Sequence, residues 1–143
     1  MNIVIREMKI EDYDEAIALW EASEGVGVAE GDSREEIQRF LIRNPGFSFS
    51  AYDSGILVGT VLGGHDGRRG YITHMAVHSA YRSSGIAREL EEHCMIAFRE
   101  AGIHKCHIHV YVDNHSGIAF WDNIGWQERT ELVVMSKYTH AVE

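Results

Sequence analysis

The chain has 143 residues, of which 45% are hydrophobic and 24% are charged, and its formal net charge is −9 at pH 7. A chain of this length is typical of one folded domain, so we predict a single domain over residues 1–143. No apolar run approaches the roughly 20 residues that span a membrane, and the acidic balance excludes the basic footprint of non-specific nucleic-acid binding. We therefore expect neither a membrane nor a nucleic acid as partner.

The apolar pattern of the first half predicts one strand, two helices and a β-hairpin. Ile3–Ile5 form the strand, Ile10–Ala22 the first helix and residues 25–31 a loop. The segment Ser33-Arg34-Glu35-Glu36 is typical of a capping box, which predicts that the second helix begins there; it should end before Pro45. The hairpin strands are Phe47–Tyr52 and Ile56–Leu62, joined by the turn Asp53-Ser54-Gly55.

The second half predicts three more strands and two more helices. A glycine-rich turn over Gly63–Gly70 precedes them, and the predicted ranges are strand Tyr71–Val77, helix Gly85–Ala101, strand His107–Val112, helix Ser116–Ile124 and strand Glu131–Tyr138. The resulting order, β-α-α-β-β-β-α-β-α-β, indicates a mixed α/β fold around one central sheet.

The turn at residues 82–87 has the features of an anion site. A helix that starts directly after a strand exposes backbone N–H groups and the positive end of its dipole, which together bind phosphate. Ser84, Gly85 and Ala87 are small enough to let an anion approach, and Arg82 adds a cation. The alternative is an ordinary turn with a surface arginine. Neither GxxxxGK[ST] nor a GxGxxG after a strand is present.

Two motifs give the chain a resemblance to the GNAT superfamily of N-acetyltransferases. The stretch VHSAYRSSGIA, from Val77 to Ala87, resembles the family's acetyl-CoA motif, [Q/R]-x-x-G-x-[G/A]. Asn114, Gly125 and Trp126 stand at the spacing of its N-x(10)-G-[F/Y/W] segment. The predicted element order also matches, and the stretch GTVLGGHDGRRG resembles small stand-alone bacterial members of the family.

The resemblance implies a fold and a cofactor site. The fold is a GNAT-like mixed, mostly antiparallel sheet that splays open between the strands at 71–77 and 107–112, flanked by about four helices. The implied co-substrate is acetyl-CoA, whose pantetheine arm lies along Met75, Ala76 and Val77. The residues implied for its pyrophosphate and for the rest of the cofactor are Arg82, Ser83, Ser84, Gly85, Ile86, Ala87, Arg88 and Asn114.

Acetyl transfer to an amine needs a base, because a protonated amine has no lone pair. His109 is our first choice, since peptide N-terminal acetylating relatives carry a catalytic glutamate at that position. His74 and Tyr71 on the facing strand are the alternatives. A tyrosine often serves as the general acid seven residues after the asparagine, but here that residue is Trp121, whose indole cannot deliver a proton. Tyr111 or solvent is the substitute that we consider.

The acceptor is expected at the loop from Ala22 to Ser33 and the helix after it, where it usually enters in this fold. Glu24, Glu30 and Asp32 make the loop acidic, which favours a cationic amine, either a small molecule or a peptide; a solvated acidic loop is the alternative. The oligomeric state is left open; because dimers are frequent in the superfamily, a homodimer is one alternative. The replacement by Trp121 keeps a second hypothesis open, a CoA-binding sensor with little catalysis.

Two further expectations concern the cysteines and histidines. The N-terminus MNIVIREMKI does not resemble an export signal, so we expect a cytoplasmic protein with Cys94 and Cys106 as reduced thiols. Among the nine histidines, His104, His107 and His109 lie close in sequence and make zinc binding an alternative. Because no cysteine or carboxylate stands at a recognisable ligand spacing, we predict no metal site.

Overall fold

The structure of the protein is a computed structural model that describes residues 1–141. The chain divides into two compact units, one over Met1–Tyr111 and one that begins at Val112. The first unit holds the whole sheet and three of the four α-helices of the described chain, and the second holds the fourth. The prediction of a single domain over residues 1–143 stays a prediction.

One mixed sheet of five strands forms the centre of the first unit. Its strands are β1 (Ile3–Glu7), β2 (Phe49–Asp53), β3 (Ile56–His65), β4 (Gly70–Val77) and β5 (Cys106–Ile108). They lie side by side in chain order, antiparallel from β1 to β4, whereas β4 and β5 are parallel. The predicted mixed, mostly antiparallel sheet is confirmed.

The helices also follow the predicted order. They are α1 (Tyr13–Glu21), preceded by a 3-10 turn over Ile10–Asp12, then α2 (Arg34–Arg43), α3 (Ile86–Glu100) after a 3-10 turn over Ser79–Tyr81, and α4 (His115–Asn123) in the second unit. The capping box is confirmed, because Ser33 Oγ accepts from Glu36 N at 3.2 Å. The hairpin is confirmed as well: Asp53 pairs with Ile56, and both turn residues have the positive φ of a type I′ turn.

Helices cover the sheet on both faces. One face carries a cluster of apolar side chains from α1, α2 and the strands, including Ala16, Trp20, Ile37, Leu62 and Ala76. Helix α3 buries Ile86, Leu90, Cys94 and Phe98 at a spacing of four residues, which places them on one helix face. Phe98 stacks on Phe47 with ring centroids 5.0 Å apart. Burial of each large side chain stabilises the fold by about 1.5–3 kcal/mol.

Both cysteines are free thiols. Cys94 is buried, and its Sγ donates to the carbonyl of Phe47 at 3.3 Å. Burial raises the pKa of Cys94 far above that of a free thiol, and burial also raises the pKa of the half-buried Cys106.

The predicted glycine-rich turn over Gly63–Gly70 is wrong in its bounds, because β3 runs on to His65 and Gly70 belongs to β4. These glycines make room for neighbouring groups. A side chain on Gly63 would collide with the carbonyl of Phe47, and a Cβ on Gly64 would lie 2.9 Å from Asn44 Cγ. Only residues 66–69 make the turn.

Two predicted strands at the end of the chain are also corrected. Strand β5 ends at Ile108 instead of Val112, and no strand forms over Glu131–Tyr138 in the described part of the chain. In that segment Leu132, Val133, Val134 and Met135 are 57–89% exposed. An apolar, β-branched pattern becomes a strand only where a partner strand and a buried face are available, so the pattern alone was an insufficient criterion.

A buried carboxylate joins β1, the 3-10 turn and β2. Asp12 is 3% exposed and accepts from Arg6 Nη2 at 3.0 Å, from Lys9 N at 2.9 Å and from the Tyr52 hydroxyl. Burial by itself raises the pKa of Asp12, but these hydrogen bonds outweigh it and hold the pKa below its usual value.

We expect Asp12→Asn to lower the free energy of unfolding at pH 7 by about 2 kcal/mol, because a charged acceptor of several hydrogen bonds is lost. A depressed carboxyl pKa contributes stability above about pH 4 and loses it as the pH falls further, so the variant should also show a flatter acid limb. Urea unfolding between pH 2.5 and 7 measures both effects. An acid limb as steep as that of the wild type would contradict the assignment.

Candidate active site

Strand β4 is interrupted by a β-bulge at His74. The backbone of His74 has φ +51°, in the left-handed region that side chains rarely adopt. On one side of it Thr73 pairs with Leu62, and on the other Ala76 pairs with Thr60, so β4 has one more residue than β3 between these pairs. Thr73 and Ala76 therefore lie on the same face of the sheet although their numbers differ by three.

Thr60 holds the bulge in place. Its Oγ1 donates to the carbonyl of His74 at 2.9 Å and accepts from Trp20 Nε1 at 2.8 Å. Thr60 and Trp20 are fully buried. A single hydroxyl thus satisfies a strained carbonyl on β4 and the indole of α1.

The side chain of His74 lies between α1 and the loop that precedes α2. Its ring packs edge-on against Trp20 with centroids 4.6 Å apart, and its Nε2 lies 3.0 Å from Asp32 Oδ1. The pair has the distance of an ion pair without the alignment of a hydrogen bond. Both ring nitrogens are buried and lack a hydrogen-bond partner among residues 1–141.

Asp32 is held by its own loop. Its Oδ2 accepts from Ala29 N at 3.0 Å, and its backbone carbonyl accepts from the Tyr13 hydroxyl at 2.6 Å. The residue is 8% exposed. Asp32 is one of the three acidic residues predicted for this loop, but it faces inward whereas Glu24 and Glu30 are exposed.

The outer edge of β4 is open beyond the bulge. Strand β5 pairs with β4 only from Gly70 to Ile72, so Met75, Ala76 and Val77 have no β5 partner in the described chain. On its other side, β4 stays paired with β3 as far as Val77, which pairs with Gly59. The predicted splay between the two strands is confirmed, and it leaves backbone groups of residues 75–77 free to pair with an extended ligand.

The turn between β4 and α3 forms a concave row of backbone amides. Ser83 and Gly85 have φ +65° and +87°, and no side chain caps the helix. The first amide of α3 with a helical partner is that of Glu89, which donates to Gly85 at 3.1 Å, so the amides of residues 86–88 precede the ladder. Backbone in this conformation next to a helix start binds anions.

The residues around this turn fit a diphosphate group. Arg82, Ser83, Ser84 and Gly85 are exposed, and Ile86 is buried and fixes the helix on the sheet. The turn itself is anchored, because the Ser84 hydroxyl donates to the carbonyl of Tyr81 and the Tyr81 hydroxyl donates to Asp53 Oδ2 at 2.5 Å. Ala87 and Arg88 continue the first turn of α3.

The other predicted catalytic residues lie near the ends of β4 and β5. Tyr71 is 41% exposed and faces His107 across the sheet, with ring centroids 5.8 Å apart. His109 is exposed one residue beyond β5. Tyr111 is 56% exposed, and a side chain on Gly27 would collide with its hydroxyl, so this phenol lies against the predicted acceptor loop.

In the second unit Asn114 starts α4. Its Oδ1 accepts from Gly117 N at 3.0 Å, which is the bond of an N-cap. Trp121 is buried and packs edge-on against Trp126 with centroids 5.2 Å apart. Trp121 is therefore a core residue of this unit.

Over residues 1–141, no helix combines the length and the apolar character that crossing a bilayer requires. Within the same residues, no three His, Cys, Asp or Glu side chains are grouped so that they could hold a metal ion.

Comparison with known sequences decides the family. The sequence pattern described as "Acetyltransferase (GNAT) family" matches residues 13–126, most of the chain. The protein belongs to the GNAT family. Its co-substrate is accordingly acetyl-CoA, and the bulged strand, the open edge and the amide-lined turn are the parts of this GNAT protein that could receive it.

Relatives of known name agree with the family. An acetyltransferase of Photorhabdus laumondii is 32% identical over 136 residues, and the match covers 93% of each chain. An acetyltransferase of Sodalis glossinidius is 29% identical over 133 residues, again with 93% of each chain covered. Among solved structures, the PaiA N-acetyltransferase of Thermoplasma acidophilum in complex with coenzyme A superposes with a TM-score of 0.77 at 18% identity, over 89% of this chain and 91% of that one.

Two residues that hold His74 in place are not predicted as site residues from the sequence: Thr60 is predicted only within the strand Ile56–Leu62, and Trp20 only within the helix Ile10–Ala22. Asp32 is predicted as an acidic residue of the acceptor loop, but not as a partner of His74. Thr60 meets the bulge at His74 because of the register in which β3 pairs with β4, and the local sequence of either strand does not reveal that register. The one available indication was a polar residue within the apolar run from Ile56 to Leu62.

We expect Thr60→Val to lower the free energy of unfolding by about 1–3 kcal/mol for each group that loses its partner, the His74 carbonyl and the Trp20 indole. Thr60→Ser is the matched control because it keeps the hydroxyl. Urea unfolding followed by tryptophan fluorescence measures the difference. Equal stability of the valine and serine variants would show that the hydroxyl does not hold the bulge.

Proposed function

We propose that the protein transfers the acetyl group of acetyl-CoA to a primary amine of a small molecule or peptide, by direct attack within a ternary complex. The observation that carries this proposal is the proximity in one unit of an open strand edge at Met75–Val77 and an uncapped amide row at Ser83–Arg88. The extended pantetheine arm of CoA needs a strand edge to pair with, and the pyrophosphate that follows it needs amide donors.

The cofactor would be held mainly by backbone. The amides of residues 83–88 would bind the pyrophosphate, and Arg82 would add a forked cation at the exposed end of the turn. Met75, Ala76 and Val77 would pair with the pantetheine amides in the manner of an added strand. Bound acetyl-CoA supplies an acetyl group activated as a thioester. The relative solved with coenzyme A supports this assignment.

The protein must then take a proton from the acceptor amine. Four side chains are candidates for proton transfer: His74, His109, Tyr71 and Tyr111. Of these, His74 is the one with a carboxylate partner, at 3.0 Å, whereas His109 is exposed beyond the end of β5. A base whose ring is held in one orientation is the more effective one, so these surroundings favour His74 over our first choice, His109.

The leaving thiolate does not require a tyrosine. A thiol has an ordinary pKa near 8.5, so a thiolate leaves more readily than an alkoxide and solvent can protonate it. Trp121 is buried, which removes it from acid catalysis. Tyr111 is the phenol nearest to the acceptor loop, through its contact with Gly27, and we assign to it a role in shaping the acceptor entrance.

The acceptor class follows from charge. Glu24 and Glu30 are exposed on the loop of residues 22–33, in a protein of net charge −9. Carboxylates at an entrance raise the local concentration of cationic amines. We therefore assign a cationic amine as acceptor.

We further assign a cytoplasmic site of action, because free acetyl-CoA is found there. A homodimer is the oligomeric state to test by light scattering.

A panel of amines tests the proposal. Purified protein and acetyl-CoA are incubated with spermidine, lysine amide, kanamycin and a short peptide with a free N-terminus, and CoA release is corrected for hydrolysis. Amine-dependent release together with an acetylated product by mass spectrometry supports the transferase. CoA binding without amine-dependent release would replace it with the sensor that Trp121 suggests.

We expect Gly85→Glu to weaken CoA binding by at least about 100-fold, because a carboxylate would face the pyrophosphate at close range. Gly85→Ala is the control. Both variants share the strain of a side chain at φ +87°, and a Cβ there meets no atom within 4 Å, so the two differ in charge and length. Titration calorimetry with CoA and circular dichroism measure binding and fold. Equal affinities for the two variants would move the pyrophosphate elsewhere.

We expect His109→Ala to reduce turnover of the best panel amine by less than about tenfold, because an exposed side chain without an orienting partner contributes little to positioned proton transfer. Steady-state kcat as a function of pH measures it. Loss of the acidic limb of the pH–rate profile in this variant would restore His109 as the base, as the sequence analysis predicted.

A further inference from the structure

We propose that Asp32 positions His74 as the general base for the acceptor amine, so that the two residues work as a carboxylate–imidazole pair. This inference rests on the proposed acetyl transfer and deepens it at the acceptor end of the site. Its starting point is the His74 ring. Nε2 lies 3.0 Å from Asp32 Oδ1 without the alignment of a hydrogen bond, Nδ1 has no such neighbour, and both nitrogens are buried without a hydrogen-bond partner among residues 1–141. A buried ring nitrogen without a partner is expected where a substrate or a water completes the site.

The carboxylate is built into the fold. Asp32 is 8% exposed, and three bonds fix it: its Oδ2 accepts from Ala29 N, its amide donates to the carbonyl of Ala29, and its carbonyl accepts from the hydroxyl of Tyr13. These bonds leave Oδ1 for His74. A solvated surface carboxylate would not be held in this way.

The imidazole is fixed from the opposite side. The bulge directs His74 toward α1, the hydroxyl of Thr60 holds its carbonyl at 2.9 Å, and Trp20 packs edge-on against its ring. Of the groups packed around the residue, Trp20 and Thr60 do not titrate in the neutral range, and Asp32 is the ionisable one. The phenol of Tyr13 bonds the backbone of Asp32 and not its carboxylate.

A carboxylate beside one imidazole nitrogen keeps the proton on that nitrogen and leaves the lone pair on the other. In this protein the proton would sit on Nε2, toward Asp32, and Nδ1 would be the basic atom. As the amine nitrogen forms its bond to the acetyl carbon and the carbon–sulfur bond breaks, Nδ1 takes the amine proton and Asp32 stabilises the imidazolium. The imidazolium then releases the proton to water, and solvent protonates the CoA thiolate.

Access to Nδ1 requires a rearrangement around the ring, since that atom is buried. The bonds that hold Asp32 run to Ala29 and Tyr13, so the rearrangement must leave these bonds intact if Asp32 is to keep the ring oriented.

The experiment compares three variants of the full chain. Asp32→Asn can keep its bond from Ala29 while its amide group donates to Nε2, which would move the ring proton to Nδ1. Glu92→Gln removes the same charge from an exposed residue of α3 that has no assigned role in the site. His74→Asn removes the base with a residue that tolerates positive φ better than alanine does.

We expect Asp32→Asn and His74→Asn each to lower kcat for the best panel amine by about 100-fold or more, with unchanged KM for acetyl-CoA and unchanged CoA affinity. Glu92→Gln should match the wild type. The ¹⁵N chemical shifts of the His74 ring, assigned by comparison with His74→Asn, should place the proton on Nε2 in the wild type and on Nδ1 in Asp32→Asn.

Two results would overturn this inference alone: an Asp32→Asn variant with the kcat of Glu92→Gln, or a wild-type ring with its proton on Nδ1. Absence of turnover by the wild type with any panel amine would instead overturn the proposed transferase. The ring measurement needs no acceptor, so it still decides whether Asp32 sets the tautomer of His74.

Discussion

The hydroxyl of Thr60 is the group on which the geometry of the candidate site depends. It donates to the carbonyl of His74 and accepts from the indole of Trp20, within a core where water cannot replace either bond. A residue other than glycine at positive φ costs about 1–3 kcal/mol, and it persists only where its surroundings compensate for it. Thr60 provides that compensation, so the bulge is a fixed feature of β4.

The bulge has two effects on β4. It changes the side-chain alternation, so that His74 packs against Trp20 on the α1 face. It also separates the part of β4 that pairs with β5 from the part that does not. The unpaired part leads directly into the turn before α3. One irregularity therefore lies between the buried imidazole of His74 and the open strand edge that leads into the turn before α3.

Features that depend on residues close together in the sequence were predicted well, and features that depend on distant residues were not. The capping box at Ser33, the hairpin at Ser54 and Gly55, and helix α3 depend on neighbours a few residues apart, and each was predicted with nearly correct bounds. The family motif at residues 82–87 is read from neighbouring residues for the same reason. The turn predicted at Gly63 and Gly64 is wrong. Glycine is required there because any side chain would collide with Phe47 or Asn44, which are distant in sequence.

The site residues illustrate the same limit. His74 was a candidate from its strand, but its bulge depends on the register between β3 and β4, and its partner Asp32 comes from a loop about forty residues earlier. The sequence predicted Asp32 only as one of the acidic residues of the acceptor loop, without indicating that it is buried beside His74. The apolar segment from Leu132 to Met135 shows the opposite error, since strand propensity was present without a partner strand.

The free thiols have a practical consequence for work on this protein. Only the thiolate reacts quickly with disulfide and maleimide reagents, and burial disfavours the thiolate at Cys94 and Cys106. Chromogenic thiol reagents added during turnover would therefore report mainly the sulfur of released coenzyme, with little background from the polypeptide. A continuous colorimetric assay is compatible with the native, unsubstituted chain.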